Sequence, residues 1–235
     1  MSDPHHTLRV DARFGSLRIS ASMNLSAPWT ILFGPSGSGK SSILRAACGL
    51  IPSANVRFTQ TLHGHSSELH RLPTHRRHLA YAPQGAVLFP HLTVSQNVSF
   101  ATDIRREPHA ASINAALDLF NLTPLAHRLP RDLSGGERQR VNLARAFAVP
   151  TPHLLLLDEP FTGVDRSLRD VLLPRMQQHA AQQGIPVLSV THDIEEALIL
   201  NAEVIRLQQG LVIDQGPASQ VLADERTRML SILNA

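Results

Sequence analysis

The segment TILFGPSGSGKSS, residues 30–42, constrains the fold of this chain more than any other stretch. Its first four residues form a short, mainly apolar run that predicts a buried strand, and the residues from Lys40 to Gly49 have the apolar spacing of a helix. The glycines between them let the backbone curl so that successive N–H groups face one anion, and the helix adds its positive N-terminal end. Strand, loop and helix together favour a phosphate-binding loop over the alternative, an ordinary Gly/Ser turn before a helix.

Four residues of this loop, Gly34, Gly39, Lys40 and Ser41, match the pattern G-x-x-x-x-G-K-[ST]. The lysine is expected to reach the β- and γ-phosphates of a nucleotide, and the serine hydroxyl is expected to bind Mg²⁺. The residues predicted to surround the nucleotide phosphates are Gly34, Pro35, Ser36, Gly37, Ser38, Gly39, Lys40, Ser41 and Ser42.

A second apolar run, LLLL, ends in Asp158 and Glu159. The carboxyl end of a strand is where ligands of open α/β sheets bind. Asp158 is predicted to hold Mg²⁺ through its water shell, and Glu159, on the opposite side of an extended chain, to polarise the attacking water. Taken alone, the two residues are best interpreted as a polar strand end before a proline turn. Beside a phosphate loop, a catalytic role is the favoured interpretation.

Two more polar residues follow strand-like runs. His192 ends VLSVTH and is placed to hydrogen-bond a γ-phosphate, and Gln84 ends LAYAPQ, where its amide is placed to touch Mg²⁺ or the attacking water. Neither residue is informative by itself, because a satisfied polar residue at a strand end explains each of them equally well.

The order of the segments predicts an α/β fold. TLRVDARFG and SLRISASM alternate apolar and polar residues as half-buried strands do, whereas TILF, HLLLLD and IPVLSVTH indicate buried strands. From about residue 85 to 150 the pattern is helical, and AEVIRLQQGLVIDQG predicts a hairpin with Gly210 near its turn. Strands that alternate with helices imply a mostly parallel sheet, with the helical stretch inserted as a lobe.

The composition limits the partners and the compartment. Lys and Arg number 22 against 19 Asp and Glu, a formal net charge of +3, which gives no case for a nucleic-acid-binding surface. The single cysteine, Cys48, excludes an intrachain disulfide and fits a reducing compartment. The N-terminus lacks the apolar core of a signal peptide, and no run of about 18 apolar residues is present to span a bilayer. The sequence therefore predicts a soluble, cytosolic protein able to dock on a membrane protein.

The stretch LSGGERQR, residues 133–140, begins a predicted helix in an unusual way. Ser134 as N-cap and Glu137 three residues later predict a capping box. The box does not explain Gly135 and Gly136, since each glycine costs up to about 1 kcal/mol against alanine within a helix. Glycines at a helix N-terminus let an anion approach the bare N–H groups closely.

In chain order the motifs are GPSGSGKS, YAPQ, LSGGERQR, LLLLDEP, TGVD and VTHD. This order, with the signature from Ser134 to Arg140, resembles the ATP-binding-cassette (ABC) ATPases over most of the chain. The resemblance implies an α/β fold: a P-loop NTPase core with a mostly parallel sheet, an N-terminal antiparallel β part and an inserted α-helical lobe. We therefore expect a single ABC ATPase domain over residues 1–235, with a core of 1–84 and 151–235 and a lobe of 85–150.

By the same resemblance, the chain binds and hydrolyses ATP with Mg²⁺, and two cassettes, expected to be identical, pair head to tail around two ATP. The family's adenine-stacking aromatic matches Phe14, for which a core phenylalanine is the alternative. Carried over by motif, the catalytic residues are Lys40, Gln84, Glu159 and the switch histidine His192; the Mg²⁺-side residues are Ser41, Gln84 and Asp158; and the residues facing the partner's ATP are Ser134, Gly135, Gly136 and Asp165.

The stretch after Gln84 resembles importer subunits, so Phe89, Pro90 and His91 are candidate contacts for the coupling helix of a permease; packing of Phe89 within the lobe is the alternative. RLPRDLSGGERQRVNLARA is most similar to molybdate-type importer ATPases. These commonly add a C-terminal regulatory domain, which a chain ending at Ala235 is expected to lack. The implied partners are a second cassette, permease subunits and, indirectly, a substrate-binding protein, at the inner face of the cell membrane.

Other assignments stay open beside this one. Importers of thiamine, phosphate or amino acids share the motifs, and the TGVD stretch departs from the commoner SALD. A non-transport ABC ATPase of the repair or translation type needs coiled-coil insertions or two cassettes, which 235 residues do not accommodate. The histidines of HGHSSELH (63–70) suggest zinc, but a solvated polar loop is favoured. HRRH (75–78) suggests contact with anionic headgroups, but a solvated turn is favoured.

Overall fold

The computed structural model describes residues 5–103 and 110–233, so the predicted 1–235 domain extends beyond these ranges at both ends. The strands are β1 (His5–Phe14), β2 (Leu17–Leu25), β3 (Trp29–Phe33), β4 (Asn55–Leu62), β5 (His65–Glu68), β6 (Leu79–Ala82), β7 (Leu154–Asp158), β8 (Val187–Thr191), β9 (Glu203–Gln208) and β10 (Leu211–Pro217). The α-helices are α1 (Lys40–Ala47), α2 (Val94–Asp103), α3 (Ala110–Leu119), α4 (Gly135–Phe147), α5 (Arg166–Gln182), α6 (Ile194–Ile199), α7 (Ala218–Val221) and α8 (Ala223–Leu233).

The chain forms two compact units, and the first comprises the chain up to His78 and from Pro186 onward. Its strands lie in the order β5-β4-β1-β2-β10-β9-β3-β8. The pairs β1–β2, β1–β4 and β4–β5 are antiparallel, as are β9 and β10, whereas β3 pairs in parallel with both β8 and β9. The predicted N-terminal antiparallel part and the parallel core are both confirmed.

The burial pattern explains why these segments form strands. In β1 and β2 alternate residues are buried, including Leu8, Val10, Ile19 and Met23, so one face of this antiparallel part packs on the core. All residues of β3 and β8 are buried, as expected for strands covered on both faces.

Helix α1 ends at a glycine. Gly49 has a φ of 74°, its N–H donates to the Ala46 carbonyl at 2.8 Å, and the Leu50 N–H donates to the Arg45 carbonyl at 2.9 Å. These two bonds form a Schellman motif, which satisfies carbonyls left open at the helix end. Burial raises the pKa of the neighbouring Cys48 thiol to about 12, so the thiol stays protonated and unreactive.

The second unit runs from Leu79 to Ile185 and contains β6, β7 and helices α2 to α5. β6 and β7 pair in parallel, with Ala82 opposite Leu157. Helices α2, α3 and α4 lie within the stretch for which the sequence predicts helices. The ring of Phe147 contacts Phe120 and His179, with centroid distances of 5.3 and 5.9 Å. The α/β class with a mostly parallel core is therefore confirmed.

The segment 63–78 differs from the predicted solvated loop and turn. Residues 63 and 64 make the turn of a hairpin between β4 and β5, and the His70 ring Nδ1 lies 3.2 Å from the Phe58 backbone nitrogen. Arg77 is buried, and its guanidinium donates to the carbonyls of Ala47, Leu72 and His70 at 2.9, 3.0 and 3.2 Å. The expectation of a solvated HRRH turn is wrong at Arg77, because this side chain ties three backbone segments together.

None of the helices within residues 5–103 and 110–233 combines the length and the apolar character needed to cross a membrane.

Arg77 predicts a clear effect on stability. Replacing it with methionine keeps much of the volume but leaves three carbonyls without this donor, so Arg77→Met is expected to lower the free energy of unfolding by about 3 kcal/mol. The neighbouring Arg76 is exposed, so Arg76→Met is expected to change it by less than about 0.5 kcal/mol. Urea unfolding followed by circular dichroism measures both; equal midpoints for the two variants would contradict the structural role of Arg77.

Candidate functional site

The phosphate loop follows β3 and leads into α1, as predicted. Gly34 lies against the backbone of β9, where an added Cβ would stand 2.1 Å from the Leu207 carbonyl oxygen. Gly39 has a φ of 104°, and its Cβ would meet the Ile19 side chain at 2.8 Å. Both positions therefore require glycine, and the loop backbone approaches the sheet more closely than any side chain would allow.

The side chains of this loop fit an anion. Lys40 is 5 % exposed, and its Nζ donates to the Gly34 and Pro35 carbonyls at 2.7 and 2.9 Å. The Ser38 hydroxyl is buried and has no hydrogen-bond partner among the described residues. The first turn of α1, described in full, contains no acidic residue to compete for its free N–H groups. A buried cation, an orphaned hydroxyl and a helix N-terminus together suit a phosphate group.

His192 lies at the same end of the first unit as the phosphate loop. The parallel register of β3 and β8 places Phe33 opposite Thr191, so Gly34 and His192 leave neighbouring strands at the same level. His192 is exposed. The turn after it is held by Asp193, whose N–H donates to the Thr191 hydroxyl at 3.0 Å and whose carboxylate accepts from the Glu195 N–H at 2.8 Å.

Phe14 ends β1 opposite Leu17 of β2 and is half-buried. Leu17 lies beside the phosphate loop, 3.6 Å from where a Cβ on Gly39 would stand. A cavity of about 610 Å³ opens at this end of the β1–β2 hairpin. Its lining includes Arg13, Ser16, Arg18 and Ser53 but not Phe14, so the adenine-stacking role of Phe14 stays a prediction.

In the second unit, the parallel pairing of β6 and β7 brings Gln84, Asp158 and Glu159 to one sheet edge. Asp158 is the last residue of β7, is 2 % exposed and accepts a hydrogen bond from the Tyr81 hydroxyl at 3.3 Å. Gln84 Nε2 donates to Glu159 Oε2 at 3.0 Å. The structure thus joins two residues that lie far apart in the sequence.

The backbone at Glu159 differs from the expected extended chain. Its φ is 47°, in the left-handed region that costs a non-glycine residue about 1 kcal/mol. The expectation that Asp158 and Glu159 simply alternate along a strand is therefore wrong. The reversal makes a turn in which the Thr162 N–H donates to the Glu159 carbonyl at 3.3 Å and the Thr162 hydroxyl donates to Glu159 Oε2 at 3.2 Å.

The signature segment begins α4 with the predicted capping box. The Ser134 hydroxyl accepts from the Glu137 N–H at 3.2 Å, and the Ser134 N–H donates to Glu137 Oε2 at 2.7 Å. This N–H holds the pKa of the Glu137 carboxyl below its ordinary value. The two glycines differ: a Cβ on Gly136 would stand 3.1 Å from the Gly163 carbonyl oxygen, whereas a Cβ on Gly135 would meet no described atom within 4 Å.

Asp165 is the N-cap of α5. Its Oδ1 accepts from the Ser167 hydroxyl at 2.6 Å and from the Leu168 N–H at 2.9 Å, and these bonds lower the pKa of its carboxyl. Whatever else Asp165 contacts, it stabilises the start of this helix.

Comparison with known proteins shows the family to which the chain belongs. A family model described as ABC transporter matches residues 19–162. The chain belongs to the ABC transporter family. Membership implies that this cassette binds ATP.

Several curated relatives of the cassette are import proteins. It is 37 % identical over 224 residues to the molybdenum import ATP-binding protein ModC of Methylococcus capsulatus, covering 95 % of this chain and 62 % of that protein. It is 39 % identical over 224 residues to the ModC of Aromatoleum aromaticum, covering 91 % and 59 %. It is 32 % identical over 229 residues to the molybdate/tungstate import ATP-binding protein WtpC of Archaeoglobus fulgidus, covering 97 % and 93 %. The chain thus spans about three fifths of two of these relatives and most of the third.

At the candidate permease contact, the cassette packs Phe89 and exposes its neighbours. The ring of Phe89 stacks on Phe100 with a centroid distance of 4.1 Å and lies under the Arg145 guanidinium at 5.8 Å, whereas Pro90 and His91 are exposed. Phe89 therefore packs within the lobe, which was the alternative to a direct permease contact. Metal binding by histidines finds no support in the described ranges, where no three His, Cys, Asp or Glu side chains are grouped to hold an ion.

The residue that sequence reasoning missed is Thr162, which contacts the carboxylate of Glu159. Thr162 lies in the TGVD stretch that the sequence singles out, only three residues after Glu159. The left-handed backbone of Glu159, which brings the two side chains together, has no sequence signal of its own.

The two signature glycines predict opposite effects of one methyl group. Gly135→Ala is expected to leave stability unchanged or raise it by up to about 1 kcal/mol, because alanine favours a helix and space is available. Gly136→Ala is expected to lower it, because its Cβ would press on the Gly163 carbonyl oxygen. Thermal unfolding by calorimetry compares the two variants; a less stable Gly135→Ala would show that this position is crowded.

The capping box predicts a pH dependence. Because the folded-state pKa of Glu137 is depressed, its contribution to stability is complete above the unfolded-state pKa, near 4.3, and is lost as the pH falls through the folded-state value. Glu137→Gln keeps an acceptor but has no charge to titrate, so its stability is expected to fall less steeply in acid. Urea midpoints from about pH 3 to 7 measure the slopes; identical slopes would exclude this coupling.

Proposed function

We propose that this chain is the ATP-binding and hydrolysing subunit of an ABC importer. It works as a single cassette over 1–235, with a core of 1–84 and 151–235 and a helical lobe of 85–150. One arrangement at the carboxyl end of β7 carries the ATPase assignment. Buried Asp158 precedes Glu159, whose carboxylate accepts a hydrogen bond from Gln84 at 3.0 Å. If this strand end served the fold alone, it would need neither two adjacent carboxylates nor the strained backbone of Glu159.

The phosphates are bound by residues 34–42, namely Gly34, Pro35, Ser36, Gly37, Ser38, Gly39, Lys40, Ser41 and Ser42. Lys40 exchanges its bonds to the Gly34 and Pro35 carbonyls for the β- and γ-phosphates, and the orphaned Ser38 hydroxyl gains an acceptor. Phe14 stacks on the adenine, supported by the position of its hairpin beside the loop.

Ser41, Gln84 and Asp158 hold Mg²⁺, which neutralises charge on the transferred phosphate. Their hydroxyl, amide and carboxylate oxygens are the hard donors that this ion prefers, and the burial of Asp158 suits a carboxylate that is compensated by a cation.

Glu159 is the general base. It accepts a proton from the water whose oxygen attacks the γ-phosphorus, while the bond from that phosphorus to the bridging oxygen of ADP breaks. General-base help of this kind contributes about 10²–10⁴ in rate. Gln84 orients the carboxylate and the water, and His192, at the end of β8, donates a hydrogen bond to the γ-phosphate.

Two copies of the cassette pair head to tail. Ser134, Gly135 and Gly136 contact the γ-phosphate held by the partner subunit, and Asp165 joins the same interface. The open space over Gly135 supports this role, because within the described residues nothing on this chain accounts for a glycine there. Glycine and a helix N-terminus together leave N–H groups accessible to an anion.

The cargo of the complete transporter is molybdate or a related oxyanion. The names of the relatives, molybdenum import and molybdate/tungstate import, support this assignment. The cassette is held at the inner face of the cell membrane by permease subunits, which receive substrate from a binding protein. Exposed Pro90 and His91, with Phe89 behind them, form the contact with the permease.

Turnover is expected to require two cassettes and Glu159. The specific ATPase rate should rise with protein concentration, and Glu159→Gln should lower kcat by about 10²–10⁴ while retaining ATP binding and forming an ATP-dependent dimer. Gly135→Ala should also lose turnover while keeping its fold and its ATP affinity. Phosphate release measures the turnover, nucleotide titration measures the ATP affinity, and light scattering measures the dimerisation.

An ATPase rate per molecule that stays constant on dilution to concentrations at which the protein is monomeric would contradict a site shared head to tail. Full activity of Glu159→Gln would remove Glu159 as the base. The cargo is tested separately, by ATPase stimulation in the complex reconstituted with its permease and binding protein. Stimulation by molybdate or tungstate is expected, whereas stimulation by thiamine or an amino acid without any by molybdate or tungstate would contradict an oxyanion cargo.

A further inference from the structure

Helix α4 carries two buried amide side chains on one face. Gln139 and Asn142 are three residues apart, so both lie on the same side of the helix. They are 3 % and 0 % exposed. A buried amide must find partners inside the protein, because leaving its donors unpaired costs about 1–3 kcal/mol. Both donors find backbone carbonyls next to residues of the candidate site.

Gln139 is tied to the loop that carries Glu159. Its Nε2 donates to the Pro160 carbonyl at 2.9 Å in a buried hydrogen bond. Pro160 directly follows Glu159, the residue with the left-handed backbone. Such a conformation persists where the surroundings hold it, and this bond is one peptide unit away from it.

Asn142 is tied in the same way to the loop that carries Gln84. Its Nδ2 donates to the Pro83 carbonyl at 3.0 Å, and Pro83 directly precedes Gln84. The Arg145 guanidinium donates to Asn142 Oδ1 at 3.0 Å. Since arginine has only donors, this contact fixes which end of the Asn142 amide carries the NH₂ group.

The two tethered loops meet in the hydrogen bond between Gln84 Nε2 and Glu159 Oε2, at 3.0 Å. We infer that Gln139 and Asn142 are positioning residues, which fix the general base and its glutamine partner relative to helix α4. The inference rests on the proposed function, in which Glu159 is the base. Both residues would act through backbone carbonyls, those of Pro160 and Pro83, rather than on the nucleotide.

The two hydrogen bonds affect the placement of the reacting groups as well as the stability of the fold. A catalytic group misplaced by about 1 Å can lose about 100-fold in rate. Two hydrogen bonds to carbonyls that adjoin the reacting residues restrict displacements of that size, whereas the same amides bonded elsewhere on α4 would stabilise the fold without restricting them.

The experiment replaces each donor while keeping the side-chain shape. Gln139→Met has no donor, and Asn142→Asp keeps the acceptor for Arg145 but cannot donate to Pro83. Each is expected to lower kcat about 10- to 100-fold. The dissociation constant for ATP, and ATP-dependent dimerisation measured in the Glu159→Gln background, are expected to stay unchanged, which a merely structural loss would not allow.

Arg140 provides the matched control on the same helix. Its guanidinium donates to the Phe120 and Asn121 carbonyls at 2.7 and 3.1 Å, a segment that carries no candidate catalytic residue. Arg140→Met is expected to lower the melting temperature while keeping the wild-type kcat.

Wild-type kcat in folded Gln139→Met and Asn142→Asp would overturn the inference, and so would an equal loss of kcat in Arg140→Met. Where Gln139→Met does not fold, Gln139→Asn replaces it; it keeps the amide but is one methylene too short to reach Pro160, and its wild-type kcat would be equally decisive. A wild-type chain that hydrolyses no ATP at any concentration would instead overturn the proposed function, and the inference with it.

Discussion

Parallel pairing of short, fully buried strands is the constraint on which the rest of this structure depends. Strands such as β3 and β8 are buried on both faces and contain no charged residue, only the buried hydroxyls of Thr30, Ser189 and Thr191, so charged and catalytic side chains are left to the places where such strands end. In the first unit this places the phosphate loop and His192 at one level, and in the second it places Gln84 and Asp158 at one edge. Chemistry at strand ends follows from the requirement to bury the strands themselves.

Two residues of the cassette have local conformations that lower its stability. Glu159 occupies a backbone region that glycine would adopt without cost, and Gly135 occupies a helical position that alanine would fill better. Positions where local rules are broken while the surroundings remain well packed are where function is expected. Both lie in the second unit: Glu159 directly follows β7, and Gly135 is the first residue of α4.

The parts of the structure that depend on neighbouring residues could be predicted from the sequence. The capping box links Ser134 to Glu137, and the end of α1 depends on Gly49, so each pattern lies within a few residues. Arg77 and Ala47 are 30 residues apart, and Gln84 and Glu159 are 75 apart, so these contacts need the assembled fold. The phosphate-binding role of residues 34–42 stays a prediction from a local motif, whereas the hydrogen bonds from Gln84 to Glu159 and from Gln139 to Pro160 join distant segments and have no local sequence signal.

Helix α4 connects two consequences of the proposed pairing. Its N-terminus carries Ser134 and Gly135, which the proposed pairing turns toward the partner's nucleotide, and Gln139 in its middle donates to the Pro160 carbonyl, next to Glu159. The two places are close, because an α-helix rises only about 1.5 Å per residue and successive turns are joined by backbone hydrogen bonds. Under the proposed pairing, a displacement of the start of α4 is therefore expected to reach the hydrogen bond that holds the loop of Glu159, the proposed base.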